Sequence, residues 1–226
     1  MIVLGIETAT TVCGAALVRD GKVIAESLID AGRVHAEKLM GQITAVLGTA
    51  GVSSLTGVAV SIGPGSFTGL RIGVSVAKGI AFAGGIPVVG VPTLGALALH
   101  AAETDRLEEG TRLLAAIDAR RDEVYCQLFT ISEKRPLPLW DSRDMVLGEL
   151  MKVLDGPDIR VTGEGAAKVL TWPGAPPALS AVSADALRCS AGTVASLGEE
   201  LLRAGKADDT SALEPRYIKD FFLKTR

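Results

Sequence analysis

Aromatic side chains are scarce. Five Phe, two Trp and two Tyr make up 4% of 226 residues, so the 48% of hydrophobic residues must build an aliphatic, alanine-rich core. Histidine is scarcer still, with only His35 and His100. A metal centre needs clustered ligands, and a helical pair with His35 would require a second histidine one turn on, where Leu39 stands. His100 has no cysteine or acid at ligand spacing, so both histidines read as structural and no metal site is expected. Cys13, Cys126 and Cys189 are isolated, with no CxxC, which suits reduced core residues of a cytosolic protein better than a disulfide framework. No basic run occurs and the net charge is −3, which argues against independent nucleic-acid binding. The start, Met1 to Ile6, has no basic segment ahead of its apolar residues and breaks at Glu7, so neither a signal peptide nor a membrane span is expected.

What is present centres on Ser61-Ile-Gly-Pro-Gly-Ser-Phe-Thr-Gly-Leu-Arg71. Val58 to Ile62 reads as a buried strand closed by a Gly-Pro-Gly turn, and the residues from Gly69 to Ala83 carry helical periodicity. A strand, a glycine turn and a helix start can present several backbone N–H groups to an anion. The stretch is not a P-loop, because Gly69 is followed by Leu70-Arg71 and not Lys-Ser/Thr. It is not a nucleophile elbow either, since Pro64 and Thr68 flank Ser66 where glycines would be required. On the helix, Gly69, Gly73, Ala77 and Ala81 form a nearly bare face at i, i+4 spacing, while Ile72, Val76 and Ile80 line a bulky one. With Lys78 the one charge between Ile72 and Ala83, two faces are apolar: either the helix is buried within its own domain, or one face is a partner surface.

Ahead of this stretch, Ile2 to Thr10, Val12 to Arg19 and Lys22 to Asp30 read as three strands, with Asp20-Gly21 turning the second hairpin. A helix follows from Val34 to about Ala50, its apolar stripe on Leu39, Ile43 and Val46. After the central helix come a strand at Pro87 to Pro92 and a helix from Leu94 to Glu103 capped by Thr93. The order β-β-β-α-β-α-β-α predicts an α/β fold with a mixed five-stranded sheet, the pattern of one half of an actin/Hsp70/sugar-kinase-like protein, where the first hairpin holds nucleotide phosphates. The polar run Glu103 to Arg112 marks a boundary between residues 1–104 and a second, truncated subdomain over 105–226. There, Leu113 to Asp118 and Glu123 to Ile131 read as strands, Leu147 to Leu154 as a helix, Ile159 to Gly163 as a strand, and Ala191 to Ala204 as a last helix available to pack back on the first subdomain.

Two kinds of catalytic chemistry are weighed beside the metal site. Kinase-type transfer needs a carboxylate at the first hairpin. Glu7 is the acid there, so Glu7 and Thr8, with Gly65, Ser66 and Gly69, form the candidate nucleotide site, for ATP or ADP with magnesium. On the plainer reading Glu7 and the threonines merely close a hairpin. A serine hydrolase would use Ser61 or Ser66 with a histidine base, and neither histidine is placed beside them in sequence. The turn Asp118 to Glu123, with Arg120 and Arg121, is dense in charge and reads as solvated, with a polar partner surface as the alternative.

Five segments then occur in an order that points to a known family: Gly5-Ile-Glu-Thr, His35-Ala-Glu-Lys-Leu39, Gly63-Pro-Gly-Ser-Phe-Thr-Gly-Leu-Arg-Ile-Gly73, Asp118-Ala-Arg-Arg-Asp-Glu-Val-Tyr125 and Pro215-Arg-Tyr-Ile218. Together they resemble the TsaB family, formerly called YeaZ, over nearly the whole chain; the glycine run is the specific one. The resemblance implies a bacterial, cytoplasmic, non-catalytic partner of TsaD, which carries the metal and the active site. With the ATPase TsaE, that pair places threonylcarbamoyl on the adenosine beside the anticodon of tRNAs reading ANN codons, and tRNA would meet this chain only through the complex. It also implies that the first two helices pair with TsaD, or with a second copy when the chain is alone. That puts His35, Leu39, Ile43 and Val46 of the first helix and Arg71, Gly73, Val74, Ala77, Lys78 and Ala81 of the second at the interface. The family usually carries Asp where this chain has Glu7. The alternative function is an ATP-binding phosphotransferase or ATPase of the actin-like superfamily.

Overall fold

A computed structural model of the chain describes residues 1–30, 32 and 34–219; the last residues of the expected second subdomain, 220–226, lie outside it. The first three strands, β1 (Ile2–Glu7), β2 (Val12–Arg19) and β3 (Lys22–Asp30), form an antiparallel meander. Positive φ at Asp20 and Gly21 (49° and 76°) lets the chain reverse tightly between β2 and β3. Then follow α1 (His35–Leu47), β4 (Gly57–Gly63), α2 (Phe67–Gly84), β5 (Val88–Pro92) and α3 (Thr93–Thr104). β4 runs parallel to β1 and β5 parallel to β4, giving the mixed order β3-β2-β1-β4-β5 that the element order predicts.

The second lobe holds β6 (Arg112–Asp118), β7 (Glu123–Ser132), β8 (Arg135–Pro138), β9 (Arg143–Val146), α4 (Leu147–Val153), β10 (Ile159–Thr162), α5 (Ala166–Leu170) and β11 (Leu179–Ala181). Its sheet order is β11-β10-β6-β7-β8, with β9 alongside β7. The last described helix, α6 (Ala191–Arg203), lies back against β1, β2 and β4 of the first sheet. That approach is close: a Cβ on Gly198 would sit 2.1 Å from that of Ala59. No helix among the described residues is long and apolar enough to cross a membrane.

The period of two along β1 and β4 divides the first lobe's core into two layers. Leu4, Ile6, Val58 and Val60 point to the side of α1 and α2; Val3 and Ala59 point to α6 and α3. This arrangement settles the two-faced helix. The bare face of α2, Gly69, Gly73, Ala77 and Ala81, together with Leu70 and Val74, is its inner face, with Ala77 0% exposed. A Cβ on Gly73 would lie 2.2 Å from Thr8 Oγ1. In α1, Leu39, Ile43 and Val46 are core residues, and His35 is buried too. The expectation that His35, Leu39, Ile43, Val46, Gly73, Val74, Ala77 and Ala81 meet a partner is therefore corrected: the chain's own sheet covers them. Of the expected interface residues, Arg71 is exposed and Lys78 is half-buried.

Candidate functional site

An open cleft of about 1240 Å³ lies where the lobes meet. Its first-lobe wall is the turn from Ala9 to Thr11 and the glycine loop Pro64–Gly69; its second-lobe wall is the β6–β7 turn with Glu164; the C-terminal stretch from Arg216 to Lys219 lines it as well. Gly65, Ser66 and Gly69 therefore reach the cleft as expected, whereas Glu7 and Thr8 lie behind it, fully buried.

The loop is occupied by its own chain. Ser66 caps α2, its Oγ accepting from the Gly69 N–H at 3.2 Å, and the Ser66 N–H donates to the Ala9 carbonyl at 2.7 Å. Thr8 Oγ1 donates to the Gly69 carbonyl at 2.8 Å. Carbonyl oxygens of Ala9 and Thr8 stand 2.2 and 2.0 Å from where a Cβ on Gly65 or Gly69 would be. The glycines thus let the start of α2 press against the β1–β2 turn. Backbone N–H groups that could have received a phosphate at Ser66 and Gly69 are already used, and carbonyl lone pairs crowd the same spot.

Glu7 is the unusual group. It ends β1 with 0% exposure; Oε1 accepts from the Ala9 N–H at 2.6 Å, while Oε2 has no hydrogen-bond partner among the described residues. Burial pushes its pKa up from 4.5 to about 7, against the Ala9 hydrogen bond and the adjacent Ser61 hydroxyl, and with help from the nearby Glu164 charge. Glu164 itself accepts from the Thr11 N–H at 2.5 Å, tying the lobes together. Sequence offered no signal for that contact, since 153 residues separate the pair.

The other candidates are held by backbone. His35 Nε2 faces the Thr10 and Val12 carbonyls at 3.0 and 3.2 Å; carbonyls only accept, so that nitrogen carries the proton. His100 Nε2 faces the Asp185 carbonyl at 3.1 Å. Ser61 is buried beside the Thr8 N–H and the Ile6 carbonyl, and neither histidine bonds to Ser61 or Ser66. Among the described residues, no group of three or more His, Cys, Asp or Glu side chains gathers that could hold a metal ion.

The C-terminal stretch was legible only as a motif. In the fold it straps α2: Lys78 Nζ donates to the Ser211 and Leu213 carbonyls, Arg216 N–H to the Ile62 carbonyl at 2.7 Å, and Arg71 Nε to the Tyr217 hydroxyl at 3.1 Å. Lys219 then crosses to the second lobe, pairing with Glu123 and lying 3.8 Å from Asp144.

Residues 29–149 match the family described as TsaD, tRNA N6-adenosine threonylcarbamoyltransferase. The chain is similar to the tRNA threonylcarbamoyladenosine biosynthesis protein TsaB of Escherichia coli, 42% identical over 127 residues that cover 55% of this chain and 53% of that one. It is also similar to the Bacillus subtilis protein of the same name, 30% identical over 160 residues, 70% of this chain and 68% of the relative. Against the Escherichia coli and Haemophilus influenzae relatives, the match spans about half of their length. Among solved structures, YeaZ from Pseudomonas aeruginosa superposes with a TM-score of 0.82 at 29% identity, covering 96% of this chain and 99% of that one. A structure of a suggested N-acetylmannosamine kinase from Listeria monocytogenes, 11% identical with a TM-score of 0.51 over 88% of this chain and 100% of its own, shares the fold alone.

Proposed function

The chain belongs to the TsaB (YeaZ) family, and on that premise we propose that it serves tRNA threonylcarbamoyladenosine biosynthesis as a non-catalytic partner of a TsaD-type protein. It acts as a scaffold that supports the catalytic subunit, with a TsaE-type ATPase as a further partner and a homodimer as its state when alone.

The observation that carries this reading is the outer surface of α1 and α2. With the small face turned inward, α2 presents Ser75, Gly79, Phe82 and Ala83 outward, flanked by half-buried Ile72, Val76 and Ile80. Phe82 is 84% exposed, and Met40 on α1 is 52% exposed. The one charge of α2 beyond Arg71, Lys78, is drawn aside to the Ser211 and Leu213 carbonyls. Exposed Glu37 and Lys38 on α1 and Arg71 on α2 add charge to the same surface, and apolar side chains such as Phe82 and Met40 exposed among polar ones are the kind of face a partner covers. The interface thus moves one helix face outward from the residues first expected: onto Met40, Ile72, Ser75, Val76, Gly79 and Phe82.

The test is co-expression with the TsaD-type protein of the same source. Phe82→Glu and Met40→Glu place a charge on this face without touching the core, and co-purification should fall at least tenfold while circular dichroism stays native. Full co-purification of the doubly substituted chain would overturn the assignment. No observation favours the nucleotide-driven phosphotransferase alternative, because its expected phosphate loop is packed against Thr8 and Ala9.

A further inference from the structure

Four basic side chains, Arg120, Arg121, Arg216 and Lys219, and three acidic ones, Asp118, Glu123 and Glu164, line the interlobe cleft. Each acid has a partner. Asp118 binds Lys168 at 2.8 Å and accepts from the Arg120 N–H, Glu123 is paired with Lys219, and Glu164 accepts from Thr11. The guanidiniums of Arg120, Arg121 and Arg216 make no hydrogen bond or ion pair among the described residues. The cleft therefore holds unspent positive charge in a chain whose net charge is −3.

The backbone adds to this. Arg120 and Arg121 have φ of 73° and 47°, a region that Gly, Asn and Asp tolerate and arginine seldom occupies. The β7–β8 hairpin turns on the same pair of positive φ values at Glu133 and Lys134 (50° and 63°), so what sets the arginine turn apart is its place on the cleft, which aims two adjacent cations at its rim. All three arginines are exposed at the rim, and the cleft, at about 1240 Å³, exceeds the roughly 300–1000 Å³ typical of enclosed small-molecule sites. At the floor of the cleft the Ser66 and Gly69 N–H groups already have partners within the chain. An open trough with outward-reaching guanidiniums suits an extended chain of phosphates, which arginine binds bidentately.

We propose that the rim of this cleft contacts an RNA backbone, with Arg120, Arg121 and Arg216 each taking a phosphate. The choice of RNA as the polyanion rests on the functional reading above; the site itself does not. Three phosphates give a weak, salt-sensitive contact, consistent with a chain that lacks a basic run and meets tRNA beside a second subunit.

The experiment is fluorescence anisotropy of a labelled anticodon stem-loop RNA with the full chain alone, between about 50 and 200 mM salt. Binding is expected at the low end. The combined variant R120Q/R121Q/R216Q should weaken it at least about tenfold and flatten the slope of log K against log salt by about 2, at roughly 0.7–0.9 per phosphate lost. R120K/R121K/R216K should keep most of the slope, since the charges remain. Three results overturn the proposal: no binding by the unaltered chain at about 50 mM salt, an unchanged slope in the glutamine variant, or displacement of the RNA by ATP whose own binding the same substitutions abolish. Co-purification with the TsaD-type protein is scored separately on these variants and should be retained. If the unaltered chain itself failed to co-purify, the scaffold reading would fall while the RNA measurement stood on its own.

Discussion

Glu7 permits a prediction with a worked magnitude. Its carboxyl ends a central strand with no exposed surface, and burial raises its pKa from 4.5 to about 7. Below pH 4.5 both folded and unfolded chains carry the proton. Between 4.5 and about 7 the unfolded chain releases it and the folded chain keeps it, so folding stability declines as pH rises through that window. The difference corresponds to about 3 kcal/mol in total, at 1.36 kcal/mol for each pH unit of separation. Glu7→Gln removes the titration while keeping the shape and the oxygen that accepts from Ala9. Urea unfolding of both proteins from pH 5 to pH 8 isolates the effect, because Asp20, Asp118 and Asp209, whose pKa values are lowered, titrate in acid and do so equally in both. Part of the loss, about 1 kcal/mol, is already present at pH 5, and the glutamine variant should gain roughly a further 2–3 kcal/mol on the original chain by pH 8. A difference that does not change with pH, or an original chain more stable at pH 8 than at pH 5 relative to the variant, would refute the account of Glu7 as a buried carboxyl whose pKa is raised by desolvation.

Two further substitutions separate the faces of α2. Ala77→Leu adds three carbons to a position with no exposure, so overpacking should destabilise the isolated chain by about 1–3 kcal/mol in urea unfolding; a neutral result would mean the inner face is not packed as described. At Gly79, an added Cβ would meet nothing within 4 Å. Gly79→Ala should therefore stabilise the isolated chain by up to about 1 kcal/mol, raising its melting temperature, and a loss of stability would show that this face is not open.

The first lobe was legible because its pattern is redundant. A tight Asp20-Gly21 turn, alternating strands and a helix stripe at Leu39, Ile43 and Val46 all agree on one element order. What could not be read was which apolar face of α2 looks inward. Both lack charge, and the deciding contact, Thr8 against Gly73, joins residues 65 positions apart in sequence. Small residues invite another backbone equally from either side, and here the near backbone belongs to the chain's own hairpin. Strands β8, β9 and β11, with four, four and three residues, are too short for alternation to show, and they form because a neighbouring strand supplies the partner. Glu7 in sequence resembles any acid beside a hairpin; its burial depends on the turn to Thr11 and on the α2 loop closing over it. The Asp118 to Glu123 turn was visible as a dense charged segment, but nothing in the sequence brings Arg216 to the same cleft.

The glycine loop explains how the start of α2 is held against the β1–β2 turn. A helix N-terminus carries about half a positive charge, and something must face it. In this chain the Ala9 carbonyl faces it, accepting from Ser66, while the Ser66 hydroxyl takes the Gly69 N–H. A phosphate that displaced both bonds would forfeit roughly 0.5–1.5 kcal/mol for each. Together they cost about 2 kcal/mol, or about thirtyfold in affinity, before any repulsion from the displaced carbonyls is counted. The same contacts fix the position of α2, because Gly65, Gly69 and Gly73 can lie against Ala9 and Thr8 only without side chains. The packed loop thus positions α2 against the β1–β2 turn, with exposed Phe82 on the helix's opposite side.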